Sequence, residues 1–557
     1  MAEQTDVDVL IIGAGMGGIY QLWSCLQSDP PFSALCIDRA HGVGGTWYWN
    51  RYPGAMSDTE SYIYRFSWDK EDLLNYPWKE HYVKQPEVLG YLEHVVERHG
   101  LAKWMQLGTE LLGAEWDDRL GGWRCEIVRV DEDGNPVGEP RTVRARFLIT
   151  ALGLLSKANF PDIPGMDRFK GRKVHTGAWP KGLDVTKDRV GVIGSGSTGV
   201  QVITALAPKV KKLVSFQRSP QYSVPSGDGP VSDDYRKWVN ENYDDIWKGT
   251  RNSMVAFGFK ESEIPTMSVS PEERKRIFEE AWQKGNGFRF MFWTFNDISV
   301  DRRANDEAAN FIKGKIKSIV KDPEKARKLL PREIYARRPL CDGGYYKSFN
   351  YDHVDVVNLK DTPITEMTEK GIMTSDGVEH EFDTIIFATG FDAIDGSYNR
   401  VRIRGRNGKS LKEHWAPLGP TSYLGVCCAN FPNLFMITGP QGPFTNIPPS
   451  LETQVEFIID TMRHYRQRSS RPIIEASEEA EKDWTEKCRK LAEDSLFHET
   501  SSWIFGANVG GKKYATRFYF GGLKAYRKEL ERMVKDDYRG FIKHGEPAQD
   551  ETVRSML

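Results

Sequence analysis

Cysteine is scarce in this chain: seven residues in 557, an odd number, with no Cys-x-x-Cys. Such a set does not make a disulfide framework. A surplus of charge is missing too, because 76 Lys and Arg stand against 78 Asp and Glu for a net charge of −2. Nucleic acids and anionic membranes select proteins with basic excess, so neither is an expected partner. No apolar run approaches the roughly 18 residues that cross a bilayer. Met1 to Asp8 carry Glu3, Asp6 and Asp8 and no basic residue, unlike a secretory signal. The expectation is a soluble, reduced, cytoplasmic protein; its oligomeric state is not legible, and a monomer is compatible with the sequence.

What is present is length and glycine. At roughly 150 residues per domain the chain spans three to four domains, and 51 glycines exceed the usual share of about 7%. Two segments show where glycine is needed. VDVLII at 7–12 is a buried-strand run that enters GAGMGG, with Gly13, Gly15 and Gly18 in G-x-G-x-x-G spacing before an apolar helix. A second strand, ALCID, ends on Asp38. In a dinucleotide-binding unit the glycines let the backbone approach a pyrophosphate at a helix N-terminus, and an acid at this offset bonds the ribose hydroxyls.

The unit recurs. VGVIGSGSTG at 190–199 places Gly194, Gly196 and Gly199 after a strand, and the next strand leads to Arg218 where the first unit has Asp38. An acid repels a 2′-phosphate and an arginine pairs with it. The first unit therefore suits FAD and the second NADPH, with Ser197, Thr198 and Gln201 opening the second helix beside its phosphates. The expected fold is α/β: two Rossmann-like dinucleotide-binding domains with a helical insertion. Residues 1–150 and 385–557 form the FAD domain, and 151–225 with 331–384 form the NADPH domain. Residues 226–330 form a charged, aromatic, helical insertion. In it, Ser270-Pro271-Glu272-Glu273 predicts an N-cap with a capping-box Glu, and Asp322-Pro323 opens another helix. Ala308, Phe311, Ile312, Ile316, Ile319 and Val320 share one apolar helical face. Helices are also expected over 451–466 and 477–495.

FAD with NADPH admits several chemistries. A disulfide reductase needs a cysteine pair beside the flavin; the first unit offers only Cys25 and Cys36, at the wrong spacing. A reductase that passes electrons onward and a monooxygenase that activates O2 both remain.

Between the two glycine motifs, FKGRKVHTGAWP matches F-x-G-x-x-x-H-x-x-x-W-P at Phe169, Gly171, His175, Trp179 and Pro180. This resembles the fingerprint of the type I Baeyer–Villiger monooxygenases. The likeness extends through GGTWYWNRYPGA (44–55), ARRPLCDGGYY (336–346), ATGFDA (388–393), GPQGPFTN (439–446) and SSWIFGANVGGKK (501–513). Within that family it is greatest to members that oxidise cyclic ketones. The resemblance implies that NADPH reduces FAD, that O2 adds to the flavin at C4a, and that the deprotonated peroxide attacks a ketone carbonyl to yield an ester or lactone. A flavin enzyme working mainly on sulfur or nitrogen would use the protonated hydroperoxide; the Trp179-Pro180 ending favours the ketone class. A non-catalytic nucleotide-binding sensor is the alternative outside enzymes.

By motif position the resemblance assigns catalysis to Arg338, an anion-stabilising cation that cannot act as an acid at ordinary pH, and to Asp58, which orients it. Arg337 becomes a second cation for the 2′-phosphate, and Ser219 stands where many relatives carry threonine. Thr46, Trp47, Asp58 and Tyr64 become FAD contacts, and Trp503 reaches NADP through its indole N–H. His175 couples domain movement, outside the reacting site. Leu154, Phe444, Thr445, Ile447 and Phe518 line the substrate pocket. The histidines show no metal spacing.

Overall fold

The computed structural model describes residues 4–544; Met1–Glu3 and 545–557, the extremes of the expected FAD domain, lie outside the described residues. Two parallel-stranded sheets organise the chain. In the first, Val7–Ile12 lies between Ala34–Asp38 and the C-terminal half of Pro136–Thr150, all parallel, with Val9 beside Ala34 and Phe147. The N-terminal part of Pro136–Thr150 pairs antiparallel with Gly122–Val130, which pairs with Thr109–Asp117, so a β-meander continues the nucleotide-binding sheet. Leu434–Met436 returns from far along the chain to pair with Leu148–Thr150.

The second sheet is all parallel, ordered Val354–Asn358, Lys212–Gln217, Arg189–Ile193, Thr384–Phe387, Arg172–His175. Val190–Ile193 and Ile385–Phe387 at its centre are buried throughout, which is why they read as short apolar runs. Ile385, Ile386 and Phe387 pair with Gly191, Val192 and Ile193, so the boundary expected at 385 cuts through a strand of this sheet. The chain returns to the first sheet only beyond Gly390. Periodicity could not reveal this, because the apolar run TIIF would suit either sheet.

The insertion is helical, as expected. Ser270 accepts from Glu273 N at 3.2 Å, yet the Glu273 carboxylate pairs with Arg276 at 2.8 Å, leaving only the serine half of the expected capping box in place. Asp322 caps its helix through Glu324 N and Lys325 N. Ala308, Ile312, Ile316 and Val320 are buried, and Phe311 and Ile319 pack alongside, in one apolar cluster with Val200 and Ile203 of the second unit. The insertion thus shares a core with the second unit.

It meets the first unit through an apolar cluster, Val239, Tyr243 and Trp247 against Tyr62, Ile63, Leu73 and Trp78, and through a polar tie beside it. Arg251, at the end of the helix Tyr243–Arg251, meets Glu452 at 3.2 Å and Glu456 at 2.9 Å on the helix Ile447–Arg468, while Glu452 accepts from Ser67 N (2.6 Å) and Ser67 Oγ (2.5 Å). Glu452 is fully buried, and burial pushes its carboxyl up to about 7 against the pull of Ser67 and Arg251. The helix carrying it begins at Ile447, with Pro448 and Pro449 in its first turn, four residues ahead of the expectation. The second C-terminal helix spans Glu478–Glu493.

Candidate active site

Both glycine turns are forced by close approach. Gly13 (φ +110°) and Gly194 (φ +114°) occupy backbone that L side chains rarely adopt, and a Cβ on them would lie 2.4 Å from the Ala151 carbonyl oxygen and 2.3 Å from that of Ala388. A Cβ on Gly18 or Gly199 would fall 1.7 or 2.3 Å from the carbonyl oxygen of Gly13 or Gly194. The helices Met16–Leu26 and Ser197–Leu206 start on Gly15 and Gly196 with no side-chain cap, leaving their first N–H groups to an anion. Asp38 accepts from Ala14 N at 2.7 Å and Ala40 N at 2.8 Å, which fixes its carboxylate beside the first turn.

The two turns open into one cavity of about 1550 Å³, well above the 300–1,000 Å³ of a single-ligand site. Of the residues singled out in the first unit, Gly13, Gly15, Asp38, Thr46, Trp47, Asp58 and Tyr64 line it. In the second, Gly194, Gly196, Ser197, Thr198, Gln201, Arg218, Ser219, Arg337 and Arg338 do so, and Leu154, Phe444, Thr445, Ile447, Trp503 and Phe518 complete that part of the wall. Gly18 and Gly199 sit behind the turns. None of the five fingerprint residues lines the cavity, although Gly177 and Ala178 between them do.

Arg338 and Asp58 form the centre. Arg338 Nη1 lies 2.7 Å from Asp58 Oδ2, with the carboxylate almost fully buried and the guanidinium partly exposed. Asp58 Oδ1 is buried with no partner among the described residues, an acceptor left for a donor on whatever occupies the cavity. The guanidinium lies over the Phe288 ring at 5.1 Å, and Phe288 stacks on Phe257 at 4.0 Å. A cation held on an aromatic face and by one carboxylate keeps its remaining N–H groups for an anion.

The parts that hold this pair were not legible in sequence. Asn286 (φ +76°) donates through Nδ2 to the Asp58 carbonyl oxygen at 2.8 Å and to the Tyr82 hydroxyl at 3.1 Å, while its Oδ1 caps the helix Gly287–Phe292. One side chain thereby fixes both the Asp58 strand and the helix that presents Phe288. One residue further along that helix, Arg289 pairs with Glu60 at 2.6 Å, two positions after Asp58. Gly285-Asn286-Gly287 is a turn signal, but nothing local tied it to Asp58. Asn446 likewise accepts from Thr59 Oγ1 (2.9 Å) and donates to the Ala256 carbonyl (2.9 Å). Ala256 is held at φ +59° between the wall residues Val255 and Phe257, the kind of strain that collects at functional sites.

Elsewhere, Trp47 Nε1 donates to the Tyr64 hydroxyl at 3.1 Å, and burial raises that phenol to about 12. The Tyr52 hydroxyl donates to Gln201 Oε1 at 2.8 Å, and Gln201 Nε2 donates to the Met56 carbonyl at 3.1 Å. Gln201 is thus a bridge between the units as well as part of the cavity wall. Thr445 spends its hydroxyl on the Val255 carbonyl (2.6 Å). Trp503 stands edge-on to Phe518 at 5.7 Å, its indole N–H without a partner among the described residues. Phe444 meets Phe518 and Phe520, each at 5.3 Å. Arg218 is exposed at the cavity edge with no hydrogen bond or ion pair to any described residue.

His175 has both nitrogens engaged. Nδ1 accepts from Gly177 N at 3.0 Å, so Nε2 carries the proton and donates to the Gly390 carbonyl at 3.1 Å. Burial lowers its pKa and keeps the ring neutral. The fingerprint histidine therefore links the 172–175 strand to Gly390, where the chain leaves the second sheet. Phe169 and Trp179 are core side chains on either side of that sheet. A cluster of His414, Cys428 and Glu481 is the one metal-type grouping among the described residues. Glu481 already accepts there from Thr421 (2.5 Å) and Ala429 N (2.6 Å) and meets His414 at 2.7 Å, and burial pushes the Cys428 thiol well up, so it reads as a structural brace.

Two glycine turns, one large cavity and an arginine–carboxylate pair between them define a flavin- and nicotinamide-dependent oxidoreductase. The flavin-binding monooxygenase-like family matches residues 6–224. The phenazine N-monooxygenase of Lysobacter antibioticus is 48% identical, over 98% of each chain. A Baeyer–Villiger monooxygenase of Pseudooceanicola batsensis is 48% identical, over 97% of this chain and 96% of that one. The structure of cyclohexanone monooxygenase from Rhodococcus sp. Phi1 bound to NADP+ superposes with a TM-score of 0.93 at 52% identity, over 97% and 99% of the two chains. The chain belongs to the Baeyer–Villiger monooxygenase family of flavoproteins, and its cofactors are FAD and NADPH. Among the described residues no helix is long and apolar enough to cross a membrane.

Proposed function

We propose that this protein oxidises cyclic ketones to lactones with NADPH and O2, at the Arg338–Asp58 pair. The observation that carries this reading is the 2.7 Å contact between the two, set in an aromatic wall of a cavity that both glycine turns enter. Bound FAD, reduced by NADPH, supplies the activation of O2. The protein's own part is to hold negative charge unprotonated next to the carbonyl and to exclude water. Arg338 serves the first need, since a guanidinium stabilises an anion and does not return a proton to it. Asp58 orients Arg338, and Phe288 packs beneath it. Phe257, Phe292, Phe444 and Leu154 keep the reacting volume apolar, where each electrostatic contact is stronger than in water.

On the same reading Asp38 with Gly13 and Gly15 holds FAD, Arg218, Arg337 and Ser219 hold the 2′-phosphate of NADPH, and Trp503 contacts the nicotinamide nucleotide. The domain division we propose is 1–150 with 391–557 for FAD and 151–225 with 331–390 for NADPH, the insertion being 226–330. A cytoplasmic location fits seven cysteines that are all buried free thiols.

A second reading has one observation in its favour: a relative of 48% identity is named as a phenazine N-monooxygenase. The aromatic wall of Phe257, Phe288, Phe292 and Phe444 would accept a flat heteroarene as readily as an alicyclic ring. A product screen by mass spectrometry, with cyclic ketones of increasing ring size beside an aromatic N-heterocycle, separates the two. Lactones are expected; N-oxide without lactone from any ketone would overturn the first reading.

A further inference from the structure

We propose that Glu333 is a specificity residue that opposes the 2′-phosphate site, holding down the affinity for NADPH by occupying the donors meant for that phosphate. The inference rests on the assignment of Arg218, Arg337 and Ser219 to the 2′-phosphate. Glu333 Oε1 accepts from Ser219 Oγ at 3.1 Å and from Lys360 Nζ at 3.0 Å, and Oε2 pairs with Arg337. Ser219 and Arg337 line the cavity, whereas Glu333 stands behind them.

The hydroxyl is the deciding detail. A serine has one proton to donate, and here Ser219 gives it to Glu333. A phosphate dianion offers only acceptors, so it can bond Ser219 only if that hydroxyl turns away from the carboxylate. The Ser219 backbone does not turn with it, because its carbonyl accepts from Ser195 Oγ (2.9 Å) and Gln221 Nε2 (3.2 Å). Arg337 gives one face to Glu333, while its Nε is buried without a partner among the described residues. Arg218 has none either. Two cations, Arg337 and Lys360, pair with this carboxylate, Arg218 adds a further positive charge on the cavity wall, and the adjoining Arg332 is paired with Asp361. A phosphate bearing −1.5 to −2 is attracted by the cations and repelled by Glu333. The carboxylate thus stands in for the phosphate when the site is empty and competes with it when it fills. That restrains affinity for a co-substrate that must leave after each turnover.

The test measures binding, not turnover. With FAD-loaded protein, the Kd of 2′,5′-ADP and of 5′-AMP is determined by calorimetry at low salt, for the unaltered chain, Glu333→Gln and Arg218→Ala. Flavin absorbance verifies loading. Glu333→Gln is expected to tighten 2′,5′-ADP roughly threefold to tenfold and to leave 5′-AMP unchanged, with the gain shrinking as salt rises. Glu333→Ser, smaller and uncharged, is expected to shift binding the same way and serves if the glutamine variant does not retain flavin. Unchanged or weaker 2′,5′-ADP binding in the Glu333 variants overturns the inference, weaker binding meaning that Glu333 orients Arg337 for the phosphate. If Arg218→Ala leaves the preference for 2′,5′-ADP intact, the phosphate assignment itself fails and the inference with it.

Discussion

The two nucleotide-binding units begin alike and diverge at their middle glycines and strand ends. Gly13 and Gly194 have nearly the same φ, +110° and +114°, and each abuts a carbonyl of the neighbouring strand's exit. A Cβ on Gly15, however, would meet Gly45 at 3.5 Å, because the GGTW loop folds over the first turn, whereas a Cβ on Gly196 would meet nothing within 4 Å. Asp38 is drawn inward by two backbone N–H groups; Arg218 stands exposed and without a hydrogen-bond or ion-pair partner among the described residues. The first turn is partly covered by that loop and its strand-end acid is held by backbone N–H groups; the second is uncovered at Gly196 and its strand-end arginine is exposed. A resident cofactor suits the first and an exchanging one the second. The same supersecondary unit is thus set apart by what packs over it.

The largest effect is expected where neither turn is involved. Arg338→Ala leaves both units intact, so NADPH still bleaches the flavin in stopped flow, but lactone formation falls by about 10²–10³-fold; retained product rates would remove Arg338 from the chemistry. The two strand-end residues should then fail in opposite ways. Asp38→Ala is expected to weaken FAD retention about 10–100-fold without touching the preference for NADPH over NADH, and Arg218→Ala to cut that preference about tenfold with flavin content unchanged. Equal effects on both cofactors would dissolve the distinction between the units.

Gly196→Ala sharpens it at smaller scale. The methyl enters open space at φ −76°, so the melting temperature should stay within a degree or two while NADP+ binding weakens by calorimetry. A large loss of stability would show that the turn is not open.

The smallest effect concerns the tie between the insertion and the first unit. Glu452 has a folded-state pKa of about 7, above its ordinary 4.5. The folded state binds more protons than the unfolded state between these values, so this group's stabilising share is full below about 4.5 and is lost as pH rises through about 7. From pH 5 to 8 the unaltered chain should lose a few degrees of melting temperature relative to Glu452→Gln. Parallel curves would remove Glu452 as the titrating group.

Much of the site was legible because its signals are local or carried by motif. The glycine turns follow from spacing, and Asp38 and Arg218 from their offset after the turn. Arg338, Asp58 and the wall residues came by position in family segments, and all line the cavity. What escaped were contacts between distant positions. Asn286 meets Asp58 across 228 residues and Arg289 meets Glu60 across 229, while Glu333 reaches Ser219 across 114. The boundary expected at 385 splits the TIIF strand of the second sheet, because an apolar run does not name its neighbour. Glu273 left its capping box for Arg276, a choice between two nearby partners of similar strength.

By itself, then, the sequence determined the backbone: where chirality and close approach demand glycine, where a parallel strand must be apolar throughout, and which strand end carries an acid or an arginine. These depend on each residue and its immediate neighbours, so they survive being read in one dimension. Only the tertiary structure decided what each charge faces. It set Asp58 against Arg338 with one oxygen left without a partner among the described residues, placed Phe288 beneath the guanidinium, and turned Glu333 toward Ser219, Arg337 and Lys360. Electrostatic and packing energies depend on distance in space and on exclusion of water, and neither is a property of position along the chain.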